Sequence, residues 1–475
     1  MTGSNNKAVD PDTVPRFVTG STMRHTVVMT ATGSIGLVAI FIVDFANLFY
    51  ISQLGETELA AAIGYAGTLM FFITSAAIGT TIGITALVSR ALGSGEKERA
   101  KAVAGTGLVF IFVLISVLSL FCWLFLESLL SGLGATGRTL DVAISFLQIV
   151  IPSMPLLALG MAMSGLLRAV GDAKRAMYVT LGAGIAAAIM DPIFIFALDM
   201  GVNGAAVSTT LSRLALFGMG VYGAMKVHDL VAIPDKSALQ THISGLTAIA
   251  IPAILTNVAT PVGNAIVTRA IAPFGDDAVA GWAIVGRIIP VAFGAIFALS
   301  GAVGPILGQN YGAGRIDRVQ RAFMDALLLI LAYTTVVWVI LFIARDPIVA
   351  LFDAQGDAAN LVILFCTYVA ASFIFNGALF VANASFNNLG FATYSTVFNW
   401  GKATVGTLPF VWLGAMWGGA GGVLIGQALG SVVFGLAAVI TAYFTMQRLE
   451  PPKGDAPVVA HRPEPAPFAS GKAAS

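Results

Sequence analysis

Residues 42–51, Ile42-Val-Asp-Phe-Ala-Asn-Leu-Phe-Tyr-Ile51, place one carboxylate inside an apolar stretch of the chain. This residue, Asp44, is the only charged one between Thr26 and Gln53. The stretch can cross a bilayer, for which about 20 residues suffice. A charge in hydrocarbon costs about 2.5 to 3.5 kcal/mol even on a lenient insertion scale. We therefore predict a membrane-spanning helix whose aspartate has a function; the plainer alternative is a protonated acid that bonds to a neighbouring helix.

The composition of the whole chain indicates a polytopic membrane protein. Of its 475 residues, 57% are hydrophobic and only 10% are charged. The formal net charge is +1 and no basic stripe with interleaved aromatic residues is present, so a nucleic-acid partner is not predicted. Cys122 and Cys366 lie in apolar runs and read as packing residues. We expect an all-α monomer in the lipid bilayer, without a cofactor or a bound metal.

Apolar runs predict twelve membrane-spanning helices, six in each half of the chain. Their ranges are 24–53, 59–88, 103–126, 139–168, 175–198, 204–226, 242–272, 278–308, 320–344, 358–388, 393–416 and 421–446. The corresponding domains are a polar segment at 1–23, an N-lobe at 24–226, a linker at 227–241, a C-lobe at 242–446 and a tail at 447–475. The tail is rich in proline, alanine and charge, which predicts disorder.

Lysine and arginine are distributed unevenly between the two sides of the membrane. If the amino terminus is inside, the inner segments hold nineteen of the 25 basic residues and the outer loops hold two. Cytoplasmic loops retain positive charge, so both termini and the linker are predicted to be cytoplasmic. Three arginines within spans, Arg213, Arg269 and Arg287, are expected to bond to backbone carbonyls or to reach the interfaces.

The two halves of the chain repeat at an interval of about 220 residues. The matching pairs are Leu54–Ala61 with Phe274–Gly281, Ala91–Ala100 with Asn310–Val319, Gly171 with Gly390, and Gly201–Gly204 with Gly418–Gly421. Six helices per half is an even number, so both halves start on the same side of the membrane. The predicted fold is therefore two six-helix lobes related by a pseudo-twofold axis along the membrane normal, with a central cleft.

Three motifs carry a resemblance to a known family. They are Val43-Asp44 followed by Gly55 and Leu59-Ala60-Ala61, then Gly308-Gln-Asn-Tyr-Gly-Ala-Gly314, and Asp191-Pro192-Ile-Phe-Ile-Phe leading into Gly201-Val-Asn-Gly204. Together they resemble the multidrug and toxic compound extrusion (MATE) transporters, and the DinF-like branch more than the NorM-like branch. The resemblance spans roughly residues 24 to 446.

This resemblance implies an antiporter of the bacterial inner membrane that is not an enzyme. Such proteins expel organic, often cationic, compounds in exchange for protons or sodium, through a cleft between two lobes. In the family, an aspartate of the first helix and one of the fifth lie together in the N-lobe, and they correspond to Asp44 and Asp191. Thr209 matches a hydroxyl position near the cation site of the family.

The sequence departs from the family pattern in three places. Ala187 stands where members with these acids often have an asparagine, which removes a ligand for sodium. No proline lies between Pro15 and Pro152, so a proline-hinged first helix is not expected. The region of helix seven where the NorM-like branch has an acid holds Thr260 and Asn264 instead. We therefore expect protons rather than sodium to be the coupling ion.

The positions of the acidic residues support this expectation independently of the family resemblance. Of 24 aspartates and glutamates, only Asp44 and Asp191 lie well inside predicted spans, in the outer halves of helices that both run outward. Two close carboxylates cannot both ionise cheaply, so the pair would hold a proton. Pro192 leaves the carbonyl of Ala188 without its usual donor, and that oxygen would be available to a proton or a cation.

Other polar residues are weaker candidates for the site. Asn47 lies one turn beyond Asp44, and it and Thr209 either support the cation or make interhelical hydrogen bonds. Tyr65 and Asn264 are candidate cleft residues. Lys402, near the middle of a span, either disfavours cations in the C-lobe or binds an anionic group of the substrate; the alternative is a lysine that snorkels to the surface.

Three functions compete. The sequence favours a proton-coupled exporter of small organic molecules, with sodium coupling as a variant. A flippase for a lipid-linked precursor or an anionic lipid-like substrate is the second, and Lys402 gives it mild support. An intramembrane enzyme fares worst, because no nucleophile-base pair falls within the spans and all four histidines lie near the terminus, in the linker or in the tail.

Overall fold

The computed structural model describes residues 15–52 and 57–451, except the side chains of 44–49, 51, 52, 57, 58 and 60. All regular elements in these ranges are helical. The α-helices are α1 (Thr22–Ser52), α2 (Thr57–Gly93), α3 (Lys97–Leu124), α4 (Leu126–Gly132), α5 (Gly137–Val150), α6 (Met154–Ala169), α7 (Ala173–Pro192), α8 (Gly201–Val221), α9 (Lys236–Ile271), α10 (Asp276–Gly312), α11 (Ile316–Leu351), α12 (Gly356–Thr367), α13 (Phe373–Leu389), α14 (Ala392–Ala403) and α15 (Leu408–Gln447).

Twelve spans are present in this part of the chain. Ten helical segments are long and apolar enough to cross a membrane, and α8 adds an eleventh. The twelfth arises because α15 is a hairpin, in which Gly418 and Gly419 have non-helical backbone angles. Glycines let its two arms touch: a Cβ on Gly426 would lie 2.2 Å from the carbonyl oxygen of Phe410, and one on Gly422 would lie 1.9 Å from that of Gly414.

Four of the twelve spans are interrupted where the sequence predicts continuous helices. The eighth is kinked at Phe293, whose φ of −114° and ψ of 17° are non-helical. The fourth is broken by a 3-10 turn at Ile151–Ser153, because Pro152 has no N–H to donate. The tenth changes to a 3-10 turn at Val369–Ser372. The eleventh leaves the helix at residues 404–407, whose β-branched and glycine residues are weak helix formers. These interruptions matter below because two of them lie beside Lys402.

The repeat in the sequence is visible in the structure. Gly95 and its counterpart Gly314 have φ of +79° and +71°, and Gly171 and Gly390 have φ of +84° and +98°. Two hydrophobic cores accompany the repeat, one built mainly from α2–α6 and α8 and the other mainly from α10–α13 and α15. The predicted all-α fold with two lobes is confirmed.

The lobes meet at one end of the spans, where α2 and α10 end. A Cβ on Gly93 would lie 2.1 Å from the carbonyl oxygen of Gln309, and one on Gly312 would lie 2.0 Å from that of Arg90. The Arg90 side chain donates to the carbonyls of Asn387 and Asn388, at 3.1 and 2.7 Å. This backbone-to-backbone approach closes the space between the lobes; we call it the inter-lobe seal.

A short segment before α1 completes the inter-lobe seal. Phe17 is 1% exposed, and its N–H donates to Oε1 of Gln309 at 2.9 Å. Nε2 of the same glutamine donates to the carbonyl of Ala169 in the other lobe, at 2.6 Å. Arg318 donates to the carbonyls of Phe17 and Gly20, at 3.0 and 2.8 Å. The sequence predicted residues 1–23 only as a polar segment, whereas its described part packs between the lobes.

At the opposite end the lobes separate. Along α2, exposed residues recur at Ala61, Gly64, Thr68 and Phe71, whereas no residue from Ile73 to Gly93 is exposed. This three- and four-residue spacing marks one helix face. That face opens into a cleft which ends at the inter-lobe seal.

The linker is fastened to the N-lobe on the same side as the inter-lobe seal. α9 already starts at Lys236, so the irregular part is shorter than the predicted 227–241. Asp229 accepts from Lys101 at 2.6 Å, and Asp172 accepts from Nε2 of His228 at 2.8 Å. Burial alone would raise the pKa of Asp172. Hydrogen bonds from His228 and Arg175 outweigh this effect, so the pKa of Asp172 lies below its ordinary value.

Candidate ion-coupling site and cleft

Asp191 lies at the C-terminal end of α7 and is 1% exposed. Pro192 follows it, and the chain continues as a π-helical turn at Ile193–Ala197. A proline cannot donate to the helix, and π-helical turns are frequent at functional sites. Gly204 of α8 packs against this turn, since a Cβ there would lie 2.4 Å from the carbonyl oxygen of Phe194. The carboxyl is therefore held beside an irregular backbone inside the N-lobe.

The helix that carries Asp44 runs parallel to α7 and touches it. Gly36 approaches Thr180, and Gly184 approaches Val43, whose Cγ2 would lie 3.6 Å from an added Cβ. Further along both helices, the rings of Tyr50 and Phe196 meet edge to face with centroids 5.9 Å apart. Continuing this register puts the backbone of Asp44 about one helical turn below the level of Asp191.

Asp44 also belongs to the face of α1 that meets the other lobe. Gly33 and Phe41 of α1 approach Ala298 and Gly294 of α10, and Asp44 follows them at spacings of eleven and three residues, which stay on one helix face. The side chains of Asp44 and Asn47 lie outside the described residues. By backbone position alone, Asp44 continues the face of α1 that packs against the C-lobe.

Two other predicted site residues lie on α7 and on the neighbouring helix α8. Ala187 is one turn before it on α7 and is buried, so this position offers no side-chain oxygen. The hydroxyl of Thr209 donates to the carbonyl of Ala205 in its own helix, at 2.8 Å. Both oxygen lone pairs of this hydroxyl remain for a cation or a proton.

Arg213, expected to bond to backbone carbonyls, does so in the centre of the N-lobe. Its Nη1 donates to the carbonyl of Val150 at 3.0 Å and to Oγ of Ser153 at 2.7 Å. These groups belong to the interrupted fourth span, whose backbone needs outside partners. The arginine thus donates to polar groups beside a helix break that the sequence did not predict.

The C-lobe side of the cleft carries a polar stripe on α9. Thr260, Asn264 and Thr268 are exposed at successive four-residue steps, and Nε1 of Trp282 donates to Oγ1 of Thr268 at 2.9 Å. On the other side, Tyr65 is half-buried against the N-lobe core, with its hydroxyl 3.6 Å from where a Cβ of Gly134 would lie. A role for Asn264 or Tyr65 in substrate binding stays a prediction.

Lys402 points toward α13, where its Nζ donates to Oδ1 of Asn376. Two further polar pairs join the same two helices below it. Nδ2 of Asn399 donates to Oδ1 of Asn383 at 3.0 Å, and Oγ of Ser395 donates to Oδ1 of Asn387 at 3.1 Å. The asparagines of α13, together with Asn399 and Ser395 of α14, therefore form a ladder of hydrogen bonds that leads up to the lysine.

Comparisons with known proteins agree with this architecture. A profile of the MatE family matches residues 34–193 and 252–413. The chain is 30% identical over 433 residues to the FAD transporter of Shewanella oneidensis, covering 90% of this chain and 94% of that protein. It is 24% identical over 421 residues to the multidrug export protein MepA of Staphylococcus aureus, covering 87% of this chain and 92% of that protein.

Solved structures share the fold. The Vibrio cholerae MATE transporter VcmN in its bent form superposes with a TM-score of 0.85 at 24% identity, over 90% of this chain and 97% of that one. The outward-facing conformation of a multidrug resistance MATE family transporter gives a TM-score of 0.85 at 20% identity, over 91% and 97%. Both are similar in fold across nearly their whole length.

Proposed function

Because this chain belongs to the MatE family of membrane transporters, we propose that it is a secondary antiporter that exports organic compounds in exchange for protons. Members of this family are transporters rather than enzymes. The proposal assigns the coupling proton to Asp44 and Asp191 of the N-lobe. It also assigns the chain to the DinF-like branch and to the bacterial inner membrane.

The observation that carries the proposal is the burial of Asp191 in a membrane-spanning helix. An ionised carboxylate in hydrocarbon is costly, and a protonated one costs far less. The backbone of Asp44 lies about one helical turn away along the neighbouring helix. A proton that binds to this pair removes a charge from the N-lobe, and its release restores that charge.

Such a change in charge can bias the two cleft states. The inter-lobe seal holds one end shut while the opposite end is open, so protons and substrate reach the cleft from one side at a time. If the protonated pair favours one state and the ionised pair the other, proton binding shifts the population. Export then follows from proton entry on the open side and proton release after the switch.

The substrate in this proposal is a small organic compound, often cationic. The alternative from the sequence, a flippase for an anionic lipid-like substrate, shares with the FAD transporter of Shewanella oneidensis the need to accommodate phosphate groups. Ethidium, an organic cation, and flavin nucleotides are therefore the first compounds to test. Export of both classes would place the specificity in the cleft rather than in the coupling site.

We expect sodium alone not to drive export. Ala187 provides no side-chain oxygen one turn before Asp191, so a hard cation, which prefers oxygen, has one ligand fewer at this site. Proteoliposomes with a sodium gradient and equal pH on both sides should show no uphill ethidium movement. A pH gradient without sodium is the positive control, and sodium-driven export at equal pH would contradict the assignment.

The predicted orientation has its own test. In a variant without Cys122 and Cys366, a cysteine introduced at Lys236 in the linker or at Glu450 in the tail should not react with an impermeant reagent added outside intact cells. Arg138→Cys, in a predicted outer loop, serves as the control that should react. Labelling of the linker or the tail from outside would reverse the topology.

A further inference from the structure

The C-lobe contains a half-buried basic group at the meeting point of two interrupted spans. α14 ends at Ala403, one residue after Lys402, and the next helix starts only at Leu408. The tenth span changes from α12 to α13 across Val369–Ser372, one turn before Asn376. Oγ1 of Thr407 donates to the carbonyl of Lys402 at 2.8 Å. In membrane transporters, interrupted helices near the middle of the bilayer characteristically form binding sites.

Lys402 has no acidic partner in this part of the lobe. The described residues of α9 and α12–α15 include a single carboxylate, that of Asp357 in the first turn of α12. An ammonium group has three donors, and the structure shows one side-chain acceptor for them, Oδ1 of Asn376. By contrast, Arg213 in the N-lobe bonds to both a carbonyl and a hydroxyl. The lysine therefore retains donors and charge for another group.

Snorkelling does not account for Lys402. Ten residues of α14 separate it from the start of that helix at Ala392, a rise of about 15 Å at 1.5 Å per residue. The extended lysine side chain covers less than half of that distance. Its ammonium also bonds to a neighbouring helix instead of turning along its own.

The lysine can be reached from outside the lobe. Lys402 and Asn376 are both partly exposed, as is each residue from Ala371 to Asn376. Below them Asn383, Asn387 and Asn399 are buried and bond to one another or to Ser395. The ladder thus ends at an accessible cation whose amide partner is also accessible.

We propose that Lys402, together with the amide of Asn376, binds an anionic oxygen of the exported compound, in a phosphate or a carboxylate group. The inference rests on the proposed export function and adds the substrate class: compounds that carry an anionic group beside an apolar or aromatic body. In such a site the ammonium supplies charge-assisted hydrogen bonds, which are about twice as strong as neutral ones. The N-lobe then handles the proton, and the C-lobe handles the anion.

A matched pair of probes isolates the anionic group. Riboflavin and riboflavin 5′-phosphate share the isoalloxazine ring and differ by the phosphate, and flavin fluorescence reports their binding to the purified full chain in phosphatidylcholine nanodiscs. The wild type is expected to bind the phosphate about tenfold more tightly, as one charge-assisted contact requires. Lys402→Gln should abolish this preference. Lys174→Gln, which removes a lysine between α6 and α7, should retain it.

Asn376→Asp separates anion binding from a structural role. The new carboxylate would pair with Lys402 and keep the two helices joined, while occupying the charge that the ligand needs. We therefore expect a folded protein that has lost its preference for the phosphate. A wild type without that preference, or a preference that persists in Lys402→Gln and in Asn376→Asp, would overturn the assignment.

The source of the anion and the proposed function are tested separately. Repeating the measurement in nanodiscs with phosphatidylglycerol distinguishes a lipid headgroup from a soluble substrate. Loss of the preference for riboflavin 5′-phosphate in these nanodiscs would assign the site to lipid. Retention of that preference would assign the site to soluble compounds. Either result supports an anion site. These measurements use no gradient, so proton-driven ethidium export by the wild type remains an independent test of the antiport function.

Discussion

Asp44→Asn is expected to abolish proton-coupled export while leaving the fold nearly intact. Asparagine has almost the volume of a protonated aspartate and still forms hydrogen bonds, so it mimics the neutral acid without a cavity or an added charge. It cannot release a proton. A permanently neutral side chain biases the protein toward the protonated state and stops the cycle. Gradient-driven ethidium efflux in proteoliposomes, at matched protein content, should fall to the level of empty liposomes.

The neighbouring acid provides the internal comparison. Asp191→Asn should have the same effect, and the double variant should be little worse than either single variant, because residues that act as one unit are not additive. Equilibrium binding of ethidium should survive in all three. Wild-type efflux by Asp44→Asn would eliminate the mechanism, and losses that multiplied in the double variant would separate the two acids.

Gly93→Val is expected to shift the population of cleft states. The first atom of the new side chain would lie 2.1 Å from the Gln309 carbonyl oxygen, a contact with backbone that cannot rotate away. Overpacking of this kind costs about 1 to 3 kcal/mol, and 1.4 kcal/mol is already a tenfold change in an equilibrium. The inter-lobe seal should therefore open, and the opposite end of the cleft should be closed more often.

The same helix supplies a matched control. Among the described residues, nothing lies within 4 Å of a Cβ added at Gly64, near the other end of α2, so Gly64→Val should leave the equilibrium unchanged. A cysteine introduced at Thr260, in the exposed part of α9, reports on the opening through its labelling rate. We expect at least tenfold slower labelling with Gly93→Val. Equal rates in the two glycine variants would show that the inter-lobe seal does not govern access.

Much of the fold follows from the sequence because hydrocarbon imposes simple rules on the chain. Run lengths predict the spans, and the positive-φ glycines Gly95 and Gly314 mark equivalent turns of the repeat. The interruption at Val369–Ser372 could not be predicted, since it contains no proline and its residues are otherwise compatible with a helix. Nor could the position of Phe17, whose burial depends on contacts with residues about 300 positions away.

The sequence predicted the charged residues of the candidate site but not the groups to which they bond. Asp191 stands out in the sequence because its charge contradicts its apolar surroundings, and the structure buries it. The amide partner of Lys402 carries no such signal, since Asn376 is one of several asparagines in its helix. Arg213 was expected to bond to backbone, but the carbonyl of Val150 became a target only through a helix break. A charged residue in an apolar run can be recognised from the sequence, whereas its hydrogen-bond partner on another helix depends on how the helices pack.

The central claim is that export moves protons through Asp44 and Asp191. Its most direct test is substrate-dependent proton flux in proteoliposomes with a trapped pH indicator and a clamped membrane potential. Ethidium added to the wild type should start a proton flux opposite in direction to ethidium movement, and this flux should be absent from the Asp44→Asn/Asp191→Asn double variant. Substrate-dependent proton flux that persists in the double variant would contradict the account.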